Sequence, residues 1–119
     1  MTTNRERSER IAALNDELRQ HPTHRGLGLI TMTSGVAALR PGFWVKVANK
    51  LASLEPKDFD KGNNPYGERD FAPIEVDDEK LLFKIDYFEK GSEHMASAET
   101  PENPETTDRV LTVMLTDEY

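Results

Sequence analysis

The chain has 119 residues, a net charge of −7 and no cysteine. This length predicts one domain over residues 1–119, and the lack of cysteine excludes disulfides and thiolate zinc sites. No apolar run is long enough to cross a membrane, and the first residues lack the apolar core of a signal peptide, so we expect a cytoplasmic protein.

Charge is distributed unevenly along the chain. Residues 1–54 contain eight Lys/Arg and four Asp/Glu, whereas residues 55–119 contain seven Lys/Arg and eighteen Asp/Glu. Two interpretations stay open. The halves attract each other within the fold and the excess serves solubility, or the negative half presents a surface to a basic partner.

Two helices are predicted in the first half. The first runs from about residue 3 to residue 19, with Thr3 as N-cap, Glu6 completing a capping-box pattern, and an apolar stripe of Ile11, Leu14 and Leu18. The second covers residues 43–54, where Trp44, Val47, Ala48 and Leu51 have helical spacing and are expected to face a sheet.

Four strands are predicted around these helices. A short apolar strand is expected at residues 28–33, and residues 71–76 and 80–88 read as a hairpin whose turn is Asp77-Asp78-Glu79. Residues 57–70 form a loop rich in turn residues, and residues 89–107 form a long exposed loop with almost no apolar side chain. Residues 109–115 are apolar on both faces, which predicts an interior strand. The predicted fold is α+β, with two helices packed on one face of an antiparallel sheet of about four strands.

One group of residues has the composition of a chemical site. Glu68 and Asp70 lie in a turn-rich segment, and Asp86 joins them if its strand pairs with residues 71–76. Paired carboxylates carry out general acid–base chemistry or hold hard cations, but they also cap turns, and Arg69 between them suggests an ion pair. Both readings stay open.

Other chemical signatures are missing from the sequence. No nucleophile–histidine pairing, glycine-rich phosphate loop or basic stripe with interleaved aromatic residues is found. We therefore expect no cofactor, no metal site and no direct contact with nucleic acid or membrane.

Four segments together resemble a bacterial family, the domain of unknown function numbered 3768. They are residues 14–19 (LNDELR), 33–36 (TSGV), 64–71 (NPYGERDF) with 84–87 (KIDY), and 109–115 (RVLTVML) with the closing Glu118-Tyr119. The family pattern usually has histidine where this chain has Arg69. The resemblance implies a bacterial protein, often encoded on plasmids and integrated elements, and no particular activity. Small acidic proteins in that setting include inhibitors of host defence.

These observations lead to three functional hypotheses. The first is a non-enzymatic acidic protein that binds a basic protein surface and inhibits a nucleic-acid-handling defence complex, as anti-CRISPR and antirestriction proteins do. Its contact residues are expected to be protruding turn and loop acids, namely Asp77, Asp78, Glu79, Glu99, Glu102 and Glu105. The second is an enzyme or metal-dependent protein using Glu68, Asp70 and Asp86. The third is an accessory protein whose charge serves only solubility.

Overall fold

A computed structural model describes residues 3–59 and 64–119, and within these ranges the chain forms three α-helices and one four-stranded sheet. The helices are α1 (Asn4–Gln20), α2 (Ser34–Ala37) and α3 (Phe43–Ser53). The strands are β1 (Gly28–Met32), β2 (Phe71–Val76), β3 (Glu79–Glu89) and β4 (Thr107–Leu115). The predicted α+β class is confirmed. The predicted loop at residues 57–70 includes residues 60–63, which lie outside the described ranges.

Helix α1 has the predicted N-cap residue, Thr3. The Thr3 hydroxyl accepts a hydrogen bond from the backbone N–H of Glu6 at 3.1 Å, which satisfies one of the free donors of the first turn. The stripe of Ile11, Leu14 and Leu18 is buried against the core. This burial fixes the helix against the core and leaves its first two turns at the protein surface.

Helix α3 packs along a line slightly different from the predicted one. Val47 and Leu51 are fully buried, but the aromatic residue beside them in the core is Phe43, which is only 3% exposed. Phe43, Val47 and Leu51 are spaced at i, i+4 and i+8, so they lie along one face of the helix. Trp44, expected to face the sheet, lies on the flank of this line and is only partly buried.

The sheet has the order β1-β4-β3-β2, so β4 lies in its interior as predicted. The sheet is mostly antiparallel, as predicted, but it is mixed, because β1 pairs with β4 in parallel. The reason is the position of α3. The helix returns the chain to the starting end of the sheet between β1 and β2, and the two antiparallel steps that follow leave β4 running in the same direction as β1.

The parallel pair brings two backbones into close contact. A Cβ at Gly28 would collide with the carbonyl oxygen of Arg109, so only glycine fits at the start of β1. The contact places Arg109, near the beginning of β4, directly beside the segment that follows α1.

The long connection between β3 and β4 covers residues 90–106, while Glu89 and Thr107 belong to the strands. We call it the long loop. It folds back beside the end of β3, where Ala98 donates a backbone hydrogen bond to Tyr87 at 3.1 Å. Its side chains are mostly at the surface, but Pro101 is buried. Within the described residues no helix is long and apolar enough to span a membrane.

Candidate functional site

A groove of about 320 Å³ lies between the first half of α1, the segment before β2, the end of β3 and the long loop. We call it the α1 groove. It is lined by Asn4, Arg7, Ser8, Ile11, Tyr66, Glu68, Tyr87 and Pro101. Its wall thus combines a carboxylate, a guanidinium and two tyrosines with two apolar residues.

A buried hydrogen-bond network forms the back of this groove. The Asn15 amide donates to the Tyr87 hydroxyl at 2.8 Å and to the backbone carbonyl of Glu68 at 3.0 Å. The Tyr87 hydroxyl in turn donates to Glu68 Oε1 at 2.9 Å. Burial, with the neighbouring carboxylates of Asp70 and Glu68, raises the pKa of Tyr87, so its hydroxyl keeps its proton and stays a donor.

Arg109 is the charged centre of the network and has no exposed surface. Its Nε donates to Asn15 Oδ1 at 2.8 Å, its Nη2 donates to the carbonyl of Pro101 at 2.6 Å, and its guanidinium lies 5.2 Å from the centre of the Tyr87 ring. Burial lowers the pKa of Arg109. Its Nη1 has no hydrogen-bond partner among the described residues. One side chain therefore joins β4, α1, β3 and the long loop.

A second network holds the segment before β2 in place. The Asp16 carboxylate accepts from Arg69 at 3.0 and 2.6 Å and also accepts from Arg19. Arg19 is almost fully buried and donates to the carbonyl of Leu51 near the end of α3 at 3.0 Å. The ion pair suggested for Arg69 thus forms with α1, and this pairing positions Glu68 at the groove.

The three carboxylates proposed as a chemical site are close enough to influence one another, but they do not share one cavity wall. Only Glu68 lines the α1 groove, whereas Asp86 pairs with Lys84 at 3.0 Å. Burial raises the pKa of Glu68 and of Asp70, and the repulsion of Asp70 on Glu68 and of Asp86 on Asp70 adds to the effect. Within residues 3–59 and 64–119, no group of three His, Asp or Glu residues is arranged to hold a metal ion.

The acids of the β2–β3 turn are largely neutralised by the chain itself. Asp77 Oδ2 lies 2.5 Å from Lys46 Nζ and 3.8 Å from an Arg40 nitrogen, and Glu79 lies 3.9 Å from Arg40. The Lys46 hydrogen bond lowers the pKa of the Asp77 carboxyl. Asp77 and Asp78 both have positive φ values, 50° and 67°, as a two-residue hairpin turn requires.

The acids of the long loop have different surroundings. The carboxylate of Glu102 accepts from Arg7 Nε at 2.9 Å, and the backbone carbonyl of Glu99 accepts from Arg7 Nη2 at 2.8 Å. The carboxylates of Glu99 and Glu105 are exposed and form no ion pair with a described residue. Of the three predicted contact acids in this loop, only Glu102 thus has its carboxylate paired with an arginine of the described residues.

Three residues that build the groove were not predicted from the sequence, namely Arg7, Asn15 and Arg109. Arg109 had a usable signal, because Arg109, Leu111 and Val113 alternate along β4 and therefore share the face that packs against the helices. Asn15 lies next to Leu14 on the buried side of α1, where a polar residue needs a partner inside the fold. Nothing in the sequence identified that partner.

Comparison with known proteins gives one result. A model of the family described as Protein of unknown function (DUF3768) matches residues 32–118. Searches of curated proteins and of solved structures found no match. The matched region contains Glu68, Arg69, Tyr87 and Arg109, and it omits α1, which supplies Asn15. The chain belongs to the DUF3768 family.

Proposed function

We propose that the protein is a small, acidic, non-enzymatic binding protein that uses its long loop to engage a basic surface of a protein partner. The supporting observation is the charge at this end of the sheet. From Phe88 through Asp108 the chain carries six Asp/Glu residues and one lysine. Of the six, only Glu102 forms an ion pair with a described residue. Unneutralised carboxylates at one end of the molecule would attract and orient a basic surface.

The β2–β3 turn is a weaker candidate for the same role. Two of its three acids pair with Arg40 or Lys46, so a partner would have to displace these internal cations. The proposal therefore keeps Glu99 and Glu105 as contact residues. Glu102 becomes a residue that orders the loop through Arg7.

The family context supports a proposal about the role of the partner. The resemblance implies a bacterial chain often encoded on mobile elements, and such elements benefit from blocking the nucleases that destroy them. We propose that the partner belongs to a nucleic-acid-handling defence complex and that the acidic loop occupies a basic groove of that complex, as an anti-CRISPR or antirestriction protein would.

A phage plating assay tests this proposal. The protein is expressed in bacterial hosts that each carry one restriction or CRISPR system, and the plating efficiency of a targeted phage is measured with and without it. Glu93 of the same loop is also exposed and forms no ion pair with a described residue. We expect a rise in plating efficiency in at least one host, and a loss of that rise when Glu93, Glu99 and Glu105 are changed to glutamine together. Unchanged plating across all hosts would contradict the proposal.

One observation favours a second candidate function. Glu68 lines a groove and has a raised pKa because of burial, and that combination is common in general acids. An enzyme using Glu68, with Asp70 and Asp86 as supporting carboxylates, would lose its effect in Glu68→Gln or Asp70→Asn and keep it in the loop variant. The binding function predicts that Asp70→Asn stays active and the loop variant does not.

A further inference from the structure

The α1 groove provides features suited to a single cationic side chain. We propose that it receives the guanidinium of an arginine from the basic partner, with Glu68 as the counter-charge. The inference rests on the proposed function and goes beyond it, because it places one defined contact away from the exposed acids of the long loop.

The carboxylate of Glu68 has an oxygen that can accept a hydrogen bond from a bound guanidinium. Oε1 is held by the Tyr87 hydroxyl, and Oε2 has no hydrogen-bond partner within the described residues. Because Tyr87 is itself fixed by Asn15 and Arg109, Glu68 is held in place before any ligand arrives. A preordered acceptor with a free oxygen binds a cation without losing further side-chain entropy.

The other walls suit the rest of an arginine side chain. Tyr66, 77% exposed, and Tyr87 both line the groove, and tyrosine rings attract guanidinium groups. Ile11 and Pro101 offer apolar surface to the methylene groups, which prefer to leave water. The groove is thus complementary to both parts of the side chain.

The two arginines nearby do not prevent this. Arg7 at the rim already donates to Glu102 and to the carbonyl of Glu99. Arg109 is buried behind Tyr87 and donates to Asn15 and Pro101. Burial raises the Glu68 pKa and the negative charge of Asp70 adds to the rise, so a bound cation would offset both effects by stabilising the ionised carboxylate. An anionic ligand would instead meet the Glu68 carboxylate at short range.

The test uses the full chain labelled with ¹⁵N and titrated with N-acetyl-arginine amide. We expect saturable shifts of the backbone signals of Ser8, Ile11 and Glu68, with a dissociation constant near 1 mM, which corresponds to about 4 kcal/mol of binding free energy. The neutral analogue N-acetyl-citrulline amide is the matched control, and we expect it to bind at least about tenfold more weakly, because it lacks the charge.

Two variants separate the groove from general acidity. Glu68→Gln keeps an acceptor for Tyr87 and should weaken arginine amide binding about tenfold with little change in the spectrum elsewhere. Tyr66→Ala removes an exposed ring and should weaken binding severalfold without loss of fold. The loop variant with Glu93, Glu99 and Glu105 changed to glutamine should bind arginine amide as the unmodified protein does.

Three results would overturn the inference. They are the absence of shifts at the groove, equal binding of the citrulline and arginine amides, and tighter binding of a phosphate compound such as adenosine monophosphate at the same residues. A failure of this kind together with intact, salt-sensitive binding of a basic peptide through the long loop would leave the proposed function standing. Arginine amide binding at the groove without any binding of the basic peptide would support the groove site and contradict the proposed function.

Discussion

The two ends of β3 are both rich in carboxylates, but the fold uses them differently. At the β2–β3 turn, Asp77 and Glu79 meet Lys46 and Arg40, so the charge is used to join the hairpin to the α3 side of the molecule. At the other end, the long loop is held by backbone hydrogen bonds and by arginines that mostly bind carbonyl groups. Of the carboxylates of the long loop, only that of Glu102 forms an ion pair with a described residue. Acidic composition alone therefore does not identify an interaction surface, whereas the location of the internal cations does.

The largest effect is expected when the support of the long loop is removed. Arg109→Ala should lower the free energy of unfolding by about 2–5 kcal/mol, because Asn15 Oδ1 and the Pro101 carbonyl each lose a donor in a buried setting. Urea denaturation measures the change. The amide of Ala98 should also exchange faster with solvent, since the loop loses its fixed path.

The control for this experiment is Arg5→Ala, which removes an exposed arginine whose one ion pair among the described residues is with Glu9 on the same helix face. It should change stability by less than about 0.5 kcal/mol. Equal stability of the Arg109 and Arg5 variants would show that the buried network does not hold the loop.

A substitution in the β2–β3 turn is expected to raise the free energy of unfolding, by less than the loss of Arg109 lowers it. Asp78 has a left-handed backbone conformation that costs a non-glycine residue about 1 kcal/mol, and it forms no ion pair with a described residue. Asp78→Gly should therefore raise the unfolding free energy by about 0.5–1 kcal/mol. A thermal melt provides the measurement, and a lower melting temperature would indicate that the Asp78 carboxylate has a stabilising role.

The smallest expected effect concerns pH. Lys46 lowers the pKa of Asp77 in the folded state, so the pair stabilises the fold above the ordinary Asp range and the contribution is lost as pH falls through the lowered pKa. Lys46→Ala should be slightly less stable than the unmodified protein at pH 7, and the difference should disappear as pH falls through the lowered Asp77 pKa. Lys50→Ala on the same helix is the control, and an identical pH profile for both variants would argue against the pair.

The elements that carry a strong apolar pattern were predictable from the sequence, and those that depend on tertiary contacts were not. The interior position of β4 followed from residues such as Val113 and Leu111, and the hairpin followed from its alternation and turn acids. The parallel pairing of β1 was missed, because a five-residue strand has no signal for direction. The α1 groove was missed for a similar reason. Arginine is usually exposed, and only the fold shows that Arg109 and Asn15 are buried together.

The position of Trp44 shows how precisely periodicity predicts the buried side chains of a single helix. The spacing of Trp44, Val47 and Leu51 predicted one stripe, but Phe43 shares the same periodicity with Val47 and Leu51 and occupies the buried line. Periodicity identifies a face to within about one residue, and packing against the sheet selects between the neighbours.

The central claim is that the long loop, and not the turn, provides charge for a partner. Two variants that remove the same number of charges test it in one assay, which measures binding of a fluorescent peptide that alternates arginine and serine. In one variant Glu93, Glu99 and Glu105 become glutamine, and in the other Asp77, Asp78 and Glu79 become asparagine, asparagine and glutamine. At low salt the loop variant should bind about tenfold more weakly and the turn variant within about twofold of the unmodified protein, with affinity falling as salt screens the exposed charges. A turn variant weakened as much as the loop variant, or binding insensitive to salt, would contradict the account.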